Sequence, residues 1–292
     1  MKKSLFVFGM GLLLGTSAFA QNWNYAQSPA YGTYQESVVR PDTRQAQAVS
    51  ARRQREGRTT SAYRIGNPLY HPTAGQSLLT GKASYYYTPR EESIKQDKVT
   101  GWTLDPSFEM GITNKLSAYV GAGYGQFKVK SGLNKGAKGS TYNGEVGLRY
   151  LLASADGFDF NVKAGLYYDK ERIKRYGTTS RTTGTDIALQ LGKKIQNITP
   201  YFGVGFTSDF WSKRGSSTGT DTYINPGVYI DLNKFLSLDL NYTSEVHHEA
   251  VYRATLDFYT TKNTVFSFGG FIIHPETDKD TYGATISAKF AF

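Results

Sequence analysis

The chain contains no cysteine. It therefore has no disulfide framework, no thiolate metal site and no thiol nucleophile. Histidine is scarce, with four in 292 residues. No run approaches the roughly 18 apolar residues of a membrane helix, so no helical span is expected. Mean hydropathy is low, at -0.45. The one apolar run near the start is short. Lys2 and Lys3 precede Leu5 to Leu14, and Ala18-Phe19-Ala20 gives a small-x-small cleavage site before Gln21. That is a secretory signal over residues 1–20, cleaved at Ala20. What is abundant is aromatic and small: 14% aromatic, with Tyr 22, Phe 17 and Gly 31. Disorder is a poor reading of so aromatic a chain. Strands with one apolar and one polar face suit this composition.

Residues 21–76 read differently from the rest. Gln, Ser, Ala, Arg and Pro dominate, and no period-two pattern persists. A short polar helix is expected over 42–57, with Asp42 or Thr43 as N-cap and Gly57 as stop. It would carry Arg44, Arg52, Arg53 and Arg55, flanked by Arg40, Arg58 and Arg64. Much of the formal charge of +10 thus sits in this basic leader. Gly66-Asn67-Pro68 reads as a turn, and Pro72 to Gly75 as another.

From residue 77 to 292 the pattern is alternation. Phe158, Phe160, Val162, Ala164, Leu166 and Tyr168 interleave with Asp159, Asn161, Lys163, Gly165, Tyr167 and Asp169. Leu236, Leu238, Leu240 and Tyr242 interleave with Ser237, Asp239, Asn241 and Thr243. Successive strand side chains face opposite sides, so each segment has an apolar and a polar face. About twelve such segments occur: 77–88, 99–113, 116–129, 138–151, 158–170, 184–195, 199–211, 220–232, 235–245, 249–261, 264–274 and 281–292. Most exceed the roughly 9–11 residues that a tilted strand needs to cross a bilayer. Soluble strands are nearer about 5–6 residues. Short turns alternate with longer polar loops, as in transmembrane barrels. The expected fold is all-β: an antiparallel up-and-down transmembrane barrel of about 12 strands behind a polar leader. A soluble sandwich or barrel would also alternate, but needs neither the secretion signal nor such long strands.

The chain ends with apolar side chains at every second position: Tyr282, Ala284, Ile286, Ala288, Phe290 and Phe292. This resembles the C-terminal strand of bacterial outer-membrane β-barrel proteins. The resemblance implies an outer-membrane location and an assembly signal at Tyr282, Ile286, Phe290 and Phe292. It also implies the barrel-assembly machinery, periplasmic chaperones, outer-membrane lipid and lipopolysaccharide as partners. An autotransporter translocation domain also resembles a twelve-strand barrel with an N-terminal helix, but no large passenger is present here.

Alternation assigns charges of both signs to the lumen as candidate pore-lining residues. The basic ones are Lys82, Arg149, Lys163, Arg253 and Lys289. The acidic ones are Asp105, Glu109, Glu145, Asp159, Asp186, Asp239 and Asp257. Buried charges need partners or water. Two readings follow: a closed barrel with an internal ion-pair network, or a porin-like channel for ions or small solutes whose acidic lining favours cations. In either, the basic leader could neutralise the acidic lumen from the periplasmic side as a plug.

No enzyme and no cofactor is expected. Ser244, Glu245, His247, His248 and Glu249 share one loop region, but their order does not match the His-x-Ser arrangement of barrel lipases and deacylases. Gly121-Ala122-Gly123-Tyr124-Gly125 lies within a strand, not at a strand-to-helix turn, so it is no nucleotide fingerprint. Nucleic acid is not an expected partner, because no stacking aromatics interleave with the arginines.

Overall fold

In a computed structural model, the structure describes residues 63–90, 97–155, 158–213, 219–245, 249–275 and 279–292. The signal sequence expected over 1–20, the helix expected over 42–57, and His247 and His248 lie outside the described residues. Thirteen strand segments follow in order: β1 (Ser77–Thr88), β2 (Lys98–Leu104), β3 (Ser107–Gly111), β4 (Leu116–Ser131), β5 (Lys138–Ala155), β6 (Phe158–Ile173), β7 (Thr178–Lys193), β8 (Ile198–Lys213), β9 (Thr220–Asn233), β10 (Leu236–Glu245), β11 (Glu249–Thr261), β12 (Thr264–Pro275) and β13 (Thr281–Ala291). Each pairs antiparallel with its neighbour, and β13 pairs with β1. The segments β2 and β3 both lie between β1 and β4, so the closed barrel has twelve staves.

Closure is set by register. Leu78 faces Ala291, Lys82 faces Ser287, and Tyr87 faces Tyr282. The Ser77 and Phe292 backbones exchange hydrogen bonds of 2.7 and 3.0 Å. No backbone edge is left open there, which a spanning sheet requires. The break between β2 and β3 falls at Asp105-Pro106. Proline has no N–H to give the ladder. Asp105 still donates its N–H to the Lys82 carbonyl at 2.8 Å, so one stave continues through the break.

The outward faces carry the large apolar side chains. Val120, Val146, Leu166, Phe268 and Ile286 are each about half exposed, at 50, 53, 51, 55 and 56%. A soluble protein would bury them; a barrel in lipid presents them as its belt. Aromatic side chains interlock on this face. Trp102, Tyr124 and Tyr142 form a row toward the long-loop end, with centroids 5.6 and 5.1 Å apart. Phe258 meets Phe268 at 5.8 Å, and Phe266 meets Phe290 at 6.2 Å, toward the short-turn end.

Several strand boundaries differ from the sequence reading, most of all around one connection. The loop expected over 171–183 is a tight connection through a 3₁₀ turn at Lys174–Tyr176, with Gly177 at φ +58. Strand β6 runs on to Ile173, and β7 begins at Thr178. The added stretch, Thr-Thr-Ser-Arg-Thr-Thr over 178–183, has no apolar face to advertise it. Its β-branched threonines hold an extended backbone without one.

Candidate functional site in the barrel lumen

Along each strand the lumenal positions alternate with the lipid-facing ones, so the inner wall is built from the polar half of the pattern. Much of it is tyrosine laid over glycine. Tyr223 on β9 crosses Gly205 on β8 to donate to Asp186 on β7 at 2.9 Å. Tyr201 on β8 crosses Gly227 on β9 to donate to Asp239 on β10 at 2.8 Å. Tyr167 on β6 crosses Gly184 on β7 and donates to Asp209 on β8. A Cβ at any of these glycines would overlap the ring above it. The glycines are therefore recesses in the wall, and the rings fill the lumen from the side.

All twelve sequence-predicted lumenal charges lie on the inner face. Glu109 and Arg149 form a buried pair: the guanidinium donates to both carboxylate oxygens at 2.9 Å, and the Ser117 hydroxyl donates to the same group at 2.5 Å. Lys163 lies 3.6 Å from Glu145 and 3.5 Å from Asp186. Asp257 accepts from Tyr229 at 3.0 Å, and Asp239 accepts also from Asn241 at 3.1 Å. Asp105 accepts from Thr103 at 2.9 Å and acts electrostatically on Lys82. Asp159 is bonded by the Tyr63 hydroxyl. Arg253 and Lys289 join Lys82, Asp239 and Asp257 around one recess between β10 and β1. Tyr282, Ile286, Phe290 and Phe292 are on the outer face and exposed.

Residues 63–73 lie inside the short-turn end of the barrel, and the exposed Ala74 and Gly75 lead from them to β1. Tyr63, Ile65, Asn67, Leu69, Tyr70, His71 and Thr73 are all buried. Leu69 and Tyr63 pack with Tyr201 and Tyr229. Ile65 and Tyr70 pack with Leu78, Tyr259 and Val265. Arg64 lies 3.5 Å from the centre of the Tyr259 ring and donates to Asp231 at 3.3 Å and to the Asn233 carbonyl at 2.8 Å. Asn67 donates to Thr199 at 3.2 Å, and its carbonyl oxygen accepts the Leu69 N–H at 2.9 Å. Gly66 fits against Asp257, Tyr229 and Tyr259 with no room for a Cβ. The Gly66 to Tyr70 turn is therefore shaped to the barrel wall.

His71 donates through Nε2 to the Asn114 carbonyl at 3.1 Å, while its buried Nδ1 has no partner among the described residues. Burial, aided by the charge of Arg149, pushes its pKa down to about 4. The Tyr63 phenol is pushed up by burial first and by Asp159 second.

The outer half of the lumen is narrowed differently. Val99, Phe127, Val129, Ala137 and Ile173 form one apolar cluster, and Val251, Phe271 and Ile273 another. Tyr86 touches both. The sequence reading missed this layer and the lumenal carboxylates Glu171 and Asp209; Asp169 stood on its polar face but was not named among the lumenal charges. The signal for Glu171 was continued alternation through Ile173. The signal for the apolar layer was weaker, because an apolar residue on either face of a strand looks the same.

No protein-family model and no curated relative matches the chain. Solved structures do resemble it. One is an outer-membrane channel from Pseudomonas putida F1, with TM-score 0.54 and 11% identity over 76% of this chain and 97% of that one. Another is the translocator domain of the autotransporter NalP from Neisseria meningitidis, with TM-score 0.52 and 13% identity over 88% and 100%. A third is the transport unit of the autotransporter AIDA-I from Escherichia coli, with TM-score 0.50 and 8% identity over 75% and 91%. The chain has the fold of the bacterial outer-membrane β-barrels.

Proposed function

We propose that this protein is an outer-membrane channel for ions or small solutes whose inner mouth is closed by residues 63–76. The observation that carries the reading is the nature of that closure. The short-turn end is filled by a non-strand segment whose residues 63–73 are held through their side chains, while only Gly75 and Gln76 bond to the sheet backbone, at Gly111. Such contacts can part while the sheet stays intact. A barrel of twelve strands is wider than the roughly eight-stranded ones whose side chains fill the interior unaided. Its polar inner wall suits a hydrated path once the segment moves. Lumenal carboxylates outnumber lumenal cations, so cations should pass in preference to anions.

The same reading places the protein in the outer membrane, with the exposed apolar belt in lipid and the outer leaflet's lipopolysaccharide. The assembly machinery would recognise Tyr282, Ile286, Phe290 and Phe292, which stand outward on β13. The role is passive and assigns no catalytic residue. Conductance in planar bilayers tests it, comparing the mature chain with one lacking residues 21–76. The shortened chain should conduct more, and Asp105→Asn in it should lower cation preference. Silence in both, with folding confirmed by heat-modifiable gel mobility, would favour a second reading: a static envelope barrel. The complete burial of Leu69 and near-complete burial of Asn67 are the features that favour that alternative.

A further inference from the structure

The recess between β10 and β1 is charged unlike the rest of the lumen. Three cations meet there: Lys82 from β1, Arg253 from β11 and Lys289 from β13. Lys82 feels the repulsion of both others. The wall between them is made of small hydroxyl-bearing and glycine residues. In register, Lys82 faces Ser287, Ser287 faces Ser267, and Ser267 faces Asp257. One row further out, Ser84 faces Thr285, Thr285 faces Gly269, and Gly269 faces Thr255. Short side chains there, ringed by long basic ones, are what make the hollow. Gly66 bounds it toward the inner mouth, and Phe271 bounds it toward the outer one.

Two observations bear on what the hollow could hold. The Ser267 hydroxyl lines the hollow, is 3% exposed, and has no hydrogen-bond partner among the described residues. Thr255, Thr285 and Ser287 add further hydroxyls to the same lining. Buried hydroxyls are rarely left unpaired. Among the described residues Lys82 has no hydrogen bond or ion pair, and it is attracted electrostatically by Asp105. The two carboxylates in the lining are already engaged: Asp257 accepts from Tyr229, and Asp239 from Tyr201 and Asn241. Arg253 donates to Thr243 at 3.5 Å and is attracted by Asp239, as is Lys289, so the groups without a partner among the described residues are Ser267 and Lys82.

We propose that this recess is a binding site for a small oxyanion, the phosphate or carboxylate group of a solute. Lys82, Arg253 and Lys289 would supply charge, and Ser267 with its neighbours would supply hydroxyl donors. Charge-assisted hydrogen bonds of this kind are the strong ones. The site does not depend on conduction: an anion can bind here whether or not the inner segment ever opens.

Calorimetric titration of the refolded mature chain in non-ionic detergent tests this, with sodium phosphate and sodium acetate as probes and sodium chloride at equal ionic strength as control. One or both oxyanions should bind saturably, and chloride should not. Lys82→Met should weaken binding at least about tenfold, the scale of one lost charged contact. Ser267→Ala should weaken it several-fold without lowering barrel stability, because it removes a hydroxyl that nothing in the empty wall satisfies. If Lys82→Met fails to fold, Ser267→Ala still decides the matter. Equal heats for oxyanions and chloride, or oxyanion binding unchanged in the folded variants, would overturn the proposal.

Discussion

Arg149 and Glu109 show what a charge costs inside this barrel. Both are about 4% exposed, and each is the other's main partner. Arg149→Ala leaves a desolvated carboxylate and should lower stability by about 3–5 kcal/mol, read from urea unfolding in detergent. Replacing both by apolar residues of similar size should recover most of that loss. His71 makes a second prediction at this scale. Its native pKa lies near 4, below the ordinary 6.5. The undocked segment therefore takes up a proton first as pH falls. Docking is fully stable above about 6.5 and weakens as pH drops from there toward 4, by about 3 kcal/mol at most. Arg149, the Asn114 carbonyl and the Glu109 carboxylate near Tyr70 are the groups that face this region. Protease sensitivity of residues 63–76 should rise over that pH window. His71→Gln should flatten the dependence; an unchanged profile would assign it to carboxylates instead.

At the scale of elements, the strands were legible because each has one face in lipid and one in the lumen. Period two survives wherever those two solvents differ. It failed where they do not, as in the threonine-rich start of β7. The twelve lumenal charges could be placed by parity alone, as Lys163 and Asp186 illustrate. Their partners could not, because a partner is set by register and by which side chain crosses a strand. Nothing in the local sequence says that Tyr223 passes over Gly205 to reach Asp186. That crossing is itself testable. The three atoms nearest a Cβ at Gly101 all belong to the Tyr86 side chain. Gly101→Ala should therefore cost about 1–3 kcal/mol, the range for overpacking. In a Tyr86→Ala background the same change should cost little. Equal costs in both backgrounds would mean that the ring is not the obstacle.

At the scale of the whole molecule, the barrel and the segment within it differ in how they could be foreseen. The barrel repeats one pattern twelve times, and repetition is easy to read. Residues 63–76 form a single irregular turn whose fit depends on residues far along the chain, such as Tyr201, Tyr229 and Tyr259. Gly66-Asn67-Pro68 announces a turn but not where it docks. The opposite charges of leader and lumen suggested a direction, and Arg64 with Asp231 is one contact of that kind. Most of the docking is nevertheless apolar, through Ile65, Leu69 and Tyr70.

The absence of cysteine allows the central claim to be tested with one engineered pair. Leu69 lies against Gly192 on β7, so Leu69→Cys with Gly192→Cys should form the chain's single disulfide and fix the segment in place. Single-channel conductance of this variant is measured oxidised and then reduced. A gated channel predicts silence when locked and openings after reduction. The same conductance in both states, or silence in both from correctly folded barrels, would contradict the claim that residues 63–76 close a channel.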